Sequence, residues 1–408
     1  MRENLKPRDA AEVEQAIQWA LADGKALEIV AGASKRAIGR AAQWDATLDL
    51  SGLCGVTLYE PAELVLSAKA GTPIAQIEAL VDASEQELAF EPMDYAPLLG
   101  TAAGGGTIGG ALAANLSGPR RIKAGAARDH FLGFSAVSGR GQTFKSGGRV
   151  VKNVTGYDLC KLLAGSWGTL AAMTEVTIKT LPRAETEETL IVVGLDDAAA
   201  GQAMTAAMGS PADVSAAAHL PVPVAAGVAD INAAGAAVTA FRIEGVAPSV
   251  VHRKQLLERL MGPFGRLGAL RDTASRALWR AIRDVAPFAA GGPAGSRIIW
   301  RISTAPARGA EVGRALVEKL QADVLYDWAG GLIWAALPPA DDAAAGPVRA
   351  IVAAAGGHAT LIRAPVAVRA AVDVFTPETA ALSALTKRLH DSFDPRGVLN
   401  TGRMWAGV

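Results

Sequence analysis

This sequence predicts an α+β fold in more than one domain, and three observations carry that reading. Glycine and small polar residues concentrate in one stretch, 102–179, set between strand and helix signals. Past residue 184 short apolar strands alternate with helices, which favours an antiparallel sheet with helices on one face. Proline, glycine and asparagine then crowd 393–403, the mark of a docked tail. At 408 residues the chain exceeds one ordinary core, so two or three domains are expected. The pattern divides it into 1–183, with lobes of about 1–54 and 55–183, then a second domain at 184–375 and a C-terminal helix and tail at 376–408.

The elements follow in order. Asp9 to Glu12 reads as a capping box, Val13, Ile17, Ala20 and Leu21 recur at helical spacing, and Gly24 is a natural stop. Strand signals at 27–30 and 47–50 flank a compact loop, 31–36, with small residues and two cations. Segments 56–59 and 64–70 form a strand pair turning at Glu60-Pro61. Thr72-Pro73 then reads as a cap with proline at the first helical position, ahead of Ile74, Ile77, Leu80 and Val81. Residues 171–180 read as a strand.

Beyond 184, strands are expected at 189–194, 214–220, 238–243, 297–303, 324–328, 332–337 and 359–363. Helices are expected at 197–208, 249–260, 273–285, 309–320 and 346–355. Gly330-Gly331 is a two-residue hairpin signal. Thr376-Pro377 opens a last helix through Leu382, Leu385 and Leu389.

Composition excludes several functions. Half the residues are apolar, a fifth are charged, and the net charge is zero, so a nucleic-acid groove built on bulk positive charge is not expected. Cys54 and Cys160 lie far apart and form no ligand-spaced cluster, so they read as buried free thiols, with no disulfide framework and no metal site. Residues 1–7 lack a signal-peptide core, and no apolar run reaches the ~18 residues a membrane span needs. A cytoplasmic location is the simplest reading, with peripheral attachment at the inner membrane through partners left open.

The glycine-rich stretch carries the chemistry. Glycine lets a backbone approach a ligand closely enough for successive N–H groups to face phosphate oxygens. Gly104, Gly106 and Gly109 satisfy G-x-G-x-x-G, and Asp129 follows Gly109 by 20 residues, as a ribose-binding acid would. The context opposes a Rossmann unit, because Pro97 interrupts the segment where the central strand should be. Loop 32–36 is no Walker loop either. Arg120, Arg121 and Lys123 either border the ligand cleft, face a partner, or form a solvated turn. Tyr157 beside Asp158 reads as a packed ring with a local hydroxyl partner, and catalysis by it is the lesser alternative.

A resemblance explains both loops together. The strand-loop 29–36, the Gly-Thr-Ile-Gly-Gly-Ala-Leu-Ala-Ala-Asn run at 106–115, and Arg-Asp-His-Phe-Leu-Gly at 128–133 carry its first part. Lys-Asn-Val-Thr-Gly-Tyr-Asp-Leu at 152–159, Gly-Ser-Trp-Gly-Thr-Leu at 165–170 and Asp-Pro-Arg-Gly-Val-Leu-Asn at 394–400 complete it. In this order the pieces resemble the FAD-binding domain of the vanillyl-alcohol oxidase family, also called the PCMH type, over roughly 5–182 and 393–403. The resemblance implies a two-lobed FAD-binding domain followed by an α+β cap domain with an antiparallel sheet. It implies that Gly32, Ala33, Ser34 and Lys35 meet the diphosphate from the first lobe. Gly105, Gly106, Thr107, Gly109, Gly110 and Asn115 meet it and the flavin side from the second. Gly168 and Met173 lie near the adenosine half, and Asn400 returns from the tail.

Within the family, the 151–159 run and the Asn-Thr-Gly-Arg-Met ending at 400–404 are most similar to FAD-binding subunits of glycolate oxidase (glycolate dehydrogenase) complexes. That likeness implies two partners, a second FAD-containing subunit and an iron–sulfur subunit. Relatives that oxidise 2-hydroxy acids carry paired cap histidines around Gly-Asp-Gly-Asn, and none of the five histidines here sits in such a motif. His358 and Arg363 are the remaining cap candidates for a base and a carboxylate grip. Neither phosphate loop holds a histidine for covalent attachment, so noncovalent FAD is expected. The expectation is a flavin subunit whose substrate base lies on the partner. A self-sufficient 2-hydroxy-acid oxidoreductase and a non-redox scaffold stay open as alternatives.

Overall fold

The computed structural model describes residues 3–149 and 156–406. Residues 151–155 of the motif at 151–159 therefore lie outside the described residues. Helix Ala10–Asp23 begins where Asp9 accepts from the Glu12 N–H at 2.9 Å and ends at Gly24, φ 65°. Such caps are each worth about 1 kcal/mol. The buried face Val13, Ile17 and Ala20 packs on a three-stranded parallel sheet, ordered Glu3–Leu5, Ala46–Asp49, Leu27–Val30. Val398 and Leu399 of the tail complete the same core.

A five-stranded antiparallel sheet follows, in the order Val56–Glu60, Val65–Lys69, Ala171–Lys179, Phe131–Ser138, Thr143–Gly147. Helices Ile74–Asp82, Ile108–Ala113 and Leu159–Leu163 contribute Ile77, Val81, Ile108, Leu112 and Leu163 to its core. Thr72 does not cap the first of these helices. Its hydroxyl donates to the Lys69 carbonyl at 2.6 Å and accepts from the Gly55 N–H at 2.9 Å, tying the strand end to the preceding turn.

The rest of the chain builds an eight-stranded antiparallel sheet. Its order is Arg266–Arg271, Thr186–Val193, Val238–Gly245, Ala216–Leu220, Asp323–Asp327, Leu332–Leu337, Ile298–Ser303, His358–Arg363. Period-two alternation divides its faces. Ile333, Ala335 and Leu337 meet helices Gly309–Leu320 and Ala345–Ala354, while Phe241 and Ile243 meet Asp197–Met208 and Ala247–Met261. Val238, Ala240, Leu332 and Trp334 point the other way, onto Met93, Tyr95, Leu98 and Leu116 of the N-terminal half. Helix Asp272–Arg283 also lies on that second face, through Leu278, Trp279 and Ile282, so helices cover both sides and not one.

Other expectations shift. Strand Arg266–Arg271 was not anticipated: Gly268 and an arginine at each end weaken its pattern, and it sits at a sheet edge. The turn before Leu332–Leu337 spans Trp328 to Gly331, with Trp328, Ala329 and Gly330 all at positive φ, and is no two-residue hairpin. The last helix, Ala380–Phe393, starts at Thr379, which accepts from the Leu382 N–H, and Thr376 instead bonds the Ala359 backbone. Leu382 and Leu385 are exposed on it. Cys54 is exposed, and only Cys160 is buried. Among the described residues no helix is long and apolar enough to cross a membrane, and no group of His, Cys, Asp or Glu is arranged to hold a metal.

Candidate functional site

Two glycine loops meet edge to edge. Loop 31–36 leaves strand Leu27–Val30, and residues 104–107 lead into helix Ile108–Ala113. Thr107 caps that helix, accepting from the Gly110 N–H at 3.3 Å. A Cβ on Gly32 would lie 1.7 Å from the Gly105 carbonyl oxygen, and one on Gly109 would lie 2.8 Å from Ala70. Only glycine permits either contact. The cleft beside this junction is walled by residues 29–36, by Thr107, Gly109, Gly110 and Ala113, by Trp167, Gly168 and Met173, and by Asn400 and Arg403 of the tail. Its empty space, mouth included, is about 710 Å³.

The tail closes this cleft. Leu27 N–H donates to the Val398 carbonyl at 2.7 Å, and Asp394 accepts from the Val398 and Leu399 N–H groups at 2.9 and 2.7 Å. Asn400, 1% exposed and at φ 46°, spans the lobes: its Oδ1 accepts from the Ile29 N–H at 2.9 Å, and its Nδ2 donates to the Trp167 carbonyl at 2.8 Å. Asparagine tolerates this left-handed backbone better than most residues. Arg403 donates to the Lys35 carbonyl at 2.9 Å, stacks over Trp167 at 5.5 Å and adds a second cation.

The charges here want an anion. Lys35 Nζ has one hydrogen-bond partner among the described residues, the Ser34 hydroxyl at 3.2 Å. Burial, then the nearby Arg403, push its pKa down to about 8. Burial likewise lowers Arg403 to about 10, and its Nε is buried without a partner. Arg36 is spoken for by Glu28, to which its Nε donates at 2.8 Å. Two desolvated cations, a capping hydroxyl and a backbone that admits no Cβ fit a diphosphate.

Gly32, Ala33, Ser34, Lys35, Thr107, Gly109, Gly110, Gly168, Met173 and Asn400 are thus brought to one cleft. Gly105 and Gly106 stand behind its wall: Gly105 backs onto Gly32, and the Gly106 carbonyl accepts from the Ile74 N–H. Asn115 lies elsewhere, its Oδ1 accepting from the Arg128 N–H at 3.0 Å, and it lines an adjoining cavity that shares Ala114 and Trp167 with the cleft. Arg403 and Trp167 are cleft residues that the sequence reading did not single out. A cation three positions past Asn400 in a docked tail was the available signal.

The catalytic candidates need correction. Arg363 spends four of its five N–H donors on the carbonyls of Arg297, Leu98, Phe288 and Ala294, so it has no two-pronged grip left for a carboxylate. It staples the last strand to the N-terminal half. Tyr157 is 89% exposed, so its ring is not packed. Asp129 caps a turn, accepting from the Ala126 N–H at 2.9 Å, and the segment preceding the glycine loop is the helix Ala96–Leu99 and not a strand. His130 bonds the Ala124 carbonyl and His219 bonds Thr239, both in buried positions. His358 lines a cavity, the one that Asn115 also lines.

The basic turn divides. Arg120 is buried between the halves: Nη2 and Nε reach Glu244 at 2.6 and 3.1 Å, Nη1 reaches Glu87, and its N–H donates to Glu91 at 2.8 Å. Arg242 clamps Glu91 from the other side at 2.8 and 3.0 Å. Burial alone would raise Glu91, but Arg242 and Arg120 hold it at about 2. Lys123 pairs with Asp213. Arg121 turns instead into the cavity beside His358.

A family model described as "FAD binding domain" matches residues 4–147. With these two lobes, this cleft and this sheet, the chain belongs to the PCMH-type family of FAD-binding oxidoreductases. Glycolate oxidase subunit GlcE of Escherichia coli (strain K12) is 32% identical over 394 residues, covering 96% of this chain and 95% of that protein. Glycolate oxidase subunit GlcD of Bacillus subtilis (strain 168) is 32% identical over 170 residues, covering 38% of this chain and 35% of its own length. In shape, p-cresol methylhydroxylase aligns over 99% of this chain and 88% of its own with a TM-score of 0.73, at 11% identity. That likeness speaks for the fold alone.

Proposed function

We propose that this chain is the FAD-binding subunit of a multi-subunit glycolate oxidase. It would hold FAD noncovalently and support the oxidation of glycolate to glyoxylate together with a second flavin subunit and an iron–sulfur subunit. The observation that carries the reading is the pair of unneutralised cations, Lys35 and Arg403, on a cleft whose glycines touch. The full-length likeness to GlcE supports glycolate as the substrate and a multi-subunit assembly. Bound FAD would supply a two-electron carrier. Lys35, Arg403 and N–H groups of loop 31–36 would take its diphosphate. Gly168 and Met173 would border the adenosine half, and Asn400 would lock the lobes around it. Among the described residues no histidine, cysteine or tyrosine lines the cleft to form a covalent link to the flavin. The substrate base is assigned to the partner subunit, and attachment at a membrane would come through partners.

The test is the flavin count of the purified complex and of each separated subunit. This chain should retain FAD, and acid precipitation should release it. A colourless chain within a fully active complex rejects the proposal.

A further inference from the structure

The eight-stranded sheet treats its two edges differently. At one edge, strand His358–Arg363 is covered by the chain that follows it. Leu361 N–H donates to the Val374 carbonyl at 2.9 Å, and the Thr376 hydroxyl accepts from the Ala359 N–H and donates to its carbonyl, both at 3.0 Å. At the other edge, strand Arg266–Arg271 pairs on one side only, with Arg266 opposite Val193 and Arg271 opposite Glu188. Its outward side has no hydrogen-bond partner among the described residues. A strand of this length turns about three N–H and three C=O groups outward. An open edge of that kind is a template for another strand.

The open edge is basic in a chain with no net charge. Residues 266–280 hold four arginines and one aspartate. Arg266 and Arg271 close the strand, and Arg276 and Arg280 lie one turn apart on helix Asp272–Arg283, which follows it. All four are exposed. Arg271 has a loose ion pair at 3.7 Å with Glu188, an acid that Lys254 already holds at 2.6 Å. Acids in the groove that Arg276 and Arg280 border are engaged elsewhere. Glu87, Glu91 and Glu244 meet Arg120 and Arg242, Asp82 meets Arg183, Glu78 lies by Arg283, and Glu187 accepts from Ser275.

These charges select the occupant. If two copies paired antiparallel along this edge, Arg266 of one would face Arg271 of the other, and like charges directly opposite are destabilising. An acidic strand meets the same arginines favourably. Arg266 and Arg271 are five positions apart and therefore lie on opposite faces, with only Leu267, Gly268, Ala269 and Leu270 between them. The matching segment has acidic residues five positions apart around an uncharged middle. Main-chain hydrogen bonds would supply its affinity, and the flanking charges its specificity. An anionic lipid surface would meet the arginines but not the N–H and C=O groups of the edge.

We propose that the open edge of strand Arg266–Arg271 docks an acidic, extended segment of a partner protein, which adds a ninth strand to the large sheet. The surface does not depend on the flavin cleft.

Hydrogen exchange on the full chain, alone and in the complex purified with its partner subunits, tests this. Alone, the outward amides of 266–271 should exchange freely, and in the complex they should slow about tenfold or more. The double variant Arg266→Glu, Arg271→Glu should abolish that protection and weaken partner retention about tenfold or more. The double variant Arg266→Lys, Arg271→Lys should keep both. Arg388→Glu, exposed on the last helix, should change neither. Wild-type protection of 186–193 shows that a variant is folded, and if the glutamate pair does not fold, the glutamine pair carries the comparison. Cross-linking from Ala269→Cys in the complex should capture a partner segment that carries acidic residues. Edge amides equally open in the complex, protection that survives the glutamate pair, or capture of a segment without acids would overturn the proposal. Protection that grows with the concentration of the chain alone would assign the edge to a second copy, and protection by phosphatidylglycerol vesicles alone would assign it to a membrane. Either result also overturns it. A complex with the edge protected but no flavin on this chain would sink the proposed function and leave this surface standing.

Discussion

Arg120 and Arg121 are neighbours on the chain and opposites in the fold. Arg120 enters the seam between the N-terminal half and the large sheet, where Glu87, Glu91 and Glu244 meet it. Arg121 enters a cavity that offers one hydroxyl at 3.4 Å. The seam sets Arg120 and Arg242 against three glutamates, whereas the cleft and its adjoining cavity hold Lys35, Arg403, Arg121 and Arg301 without a matched set of acids. A charge buried with its partners holds structure together, and a charge left without one is available to a ligand.

The largest effect should come from breaking the seam. Arg120→Ala would leave three carboxylates facing Arg242 alone, and such a loss typically costs about 3–5 kcal/mol. Urea unfolding at neutral pH measures it, and adding Glu244→Gln should recover part of the loss. If Arg120→Ala proves as mild as Arg121→Gln, the contrast fails.

Asp327 is the seam's exception. It is 2% exposed, and its one hydrogen-bond donor among the described residues is the Trp328 N–H at 2.7 Å. Burial pushes its pKa up to about 7. The folded state therefore holds a proton that the unfolded chain has released above about pH 4, so this group's contribution to stability falls as pH rises from about 4 to 7. Asp327→Asn should remove that slope and stabilise the fold by about 2 kcal/mol at pH 8, as read from unfolding midpoints across pH.

Lys35→Met sharpens the other side. Removing a desolvated cation with one neutral partner should change apoprotein stability by about 1 kcal/mol or less, yet flavin retention should fall sharply. The two readouts separate a ligand group from a structural one. Arg121→Gln should be the mildest in stability, within about 0.5 kcal/mol of wild type in the same urea curves.

The local half of this molecule was legible in the sequence. Asp9, Gly24 and the period of Val13, Ile17 and Ala20 specify a helix by themselves, and the unbroken apolar run 332–337 specifies a strand buried on both faces. The glycine loops were legible for a similar reason, since close backbone approach requires glycine. What stayed hidden depends on distant partners. Nothing near Arg120 reveals that Glu244 lies 124 positions on, or that Trp328 will stack on Arg121. Arg363 looked like a carboxylate grip because the four carbonyls it holds come from three separate segments. Strand Arg266–Arg271 was missed because an edge strand can be charged and contain glycine without cost to a core.

Asn400 has a consequence for the order of events in the cell. It is 371 positions from Ile29, whose N–H it receives, and its amide holds the Trp167 carbonyl at the same time. The ribosome delivers the first lobe and both glycine loops long before it delivers this residue. A nascent chain thus has the cradle but not the clasp until residues 394–403 emerge. Stable capture of a cofactor then reports that translation has run to the tail. A chain cut short just before Asp394 would keep every strand and lose that proof of completeness, so a nonsense mutation there should yield protein that accumulates colourless.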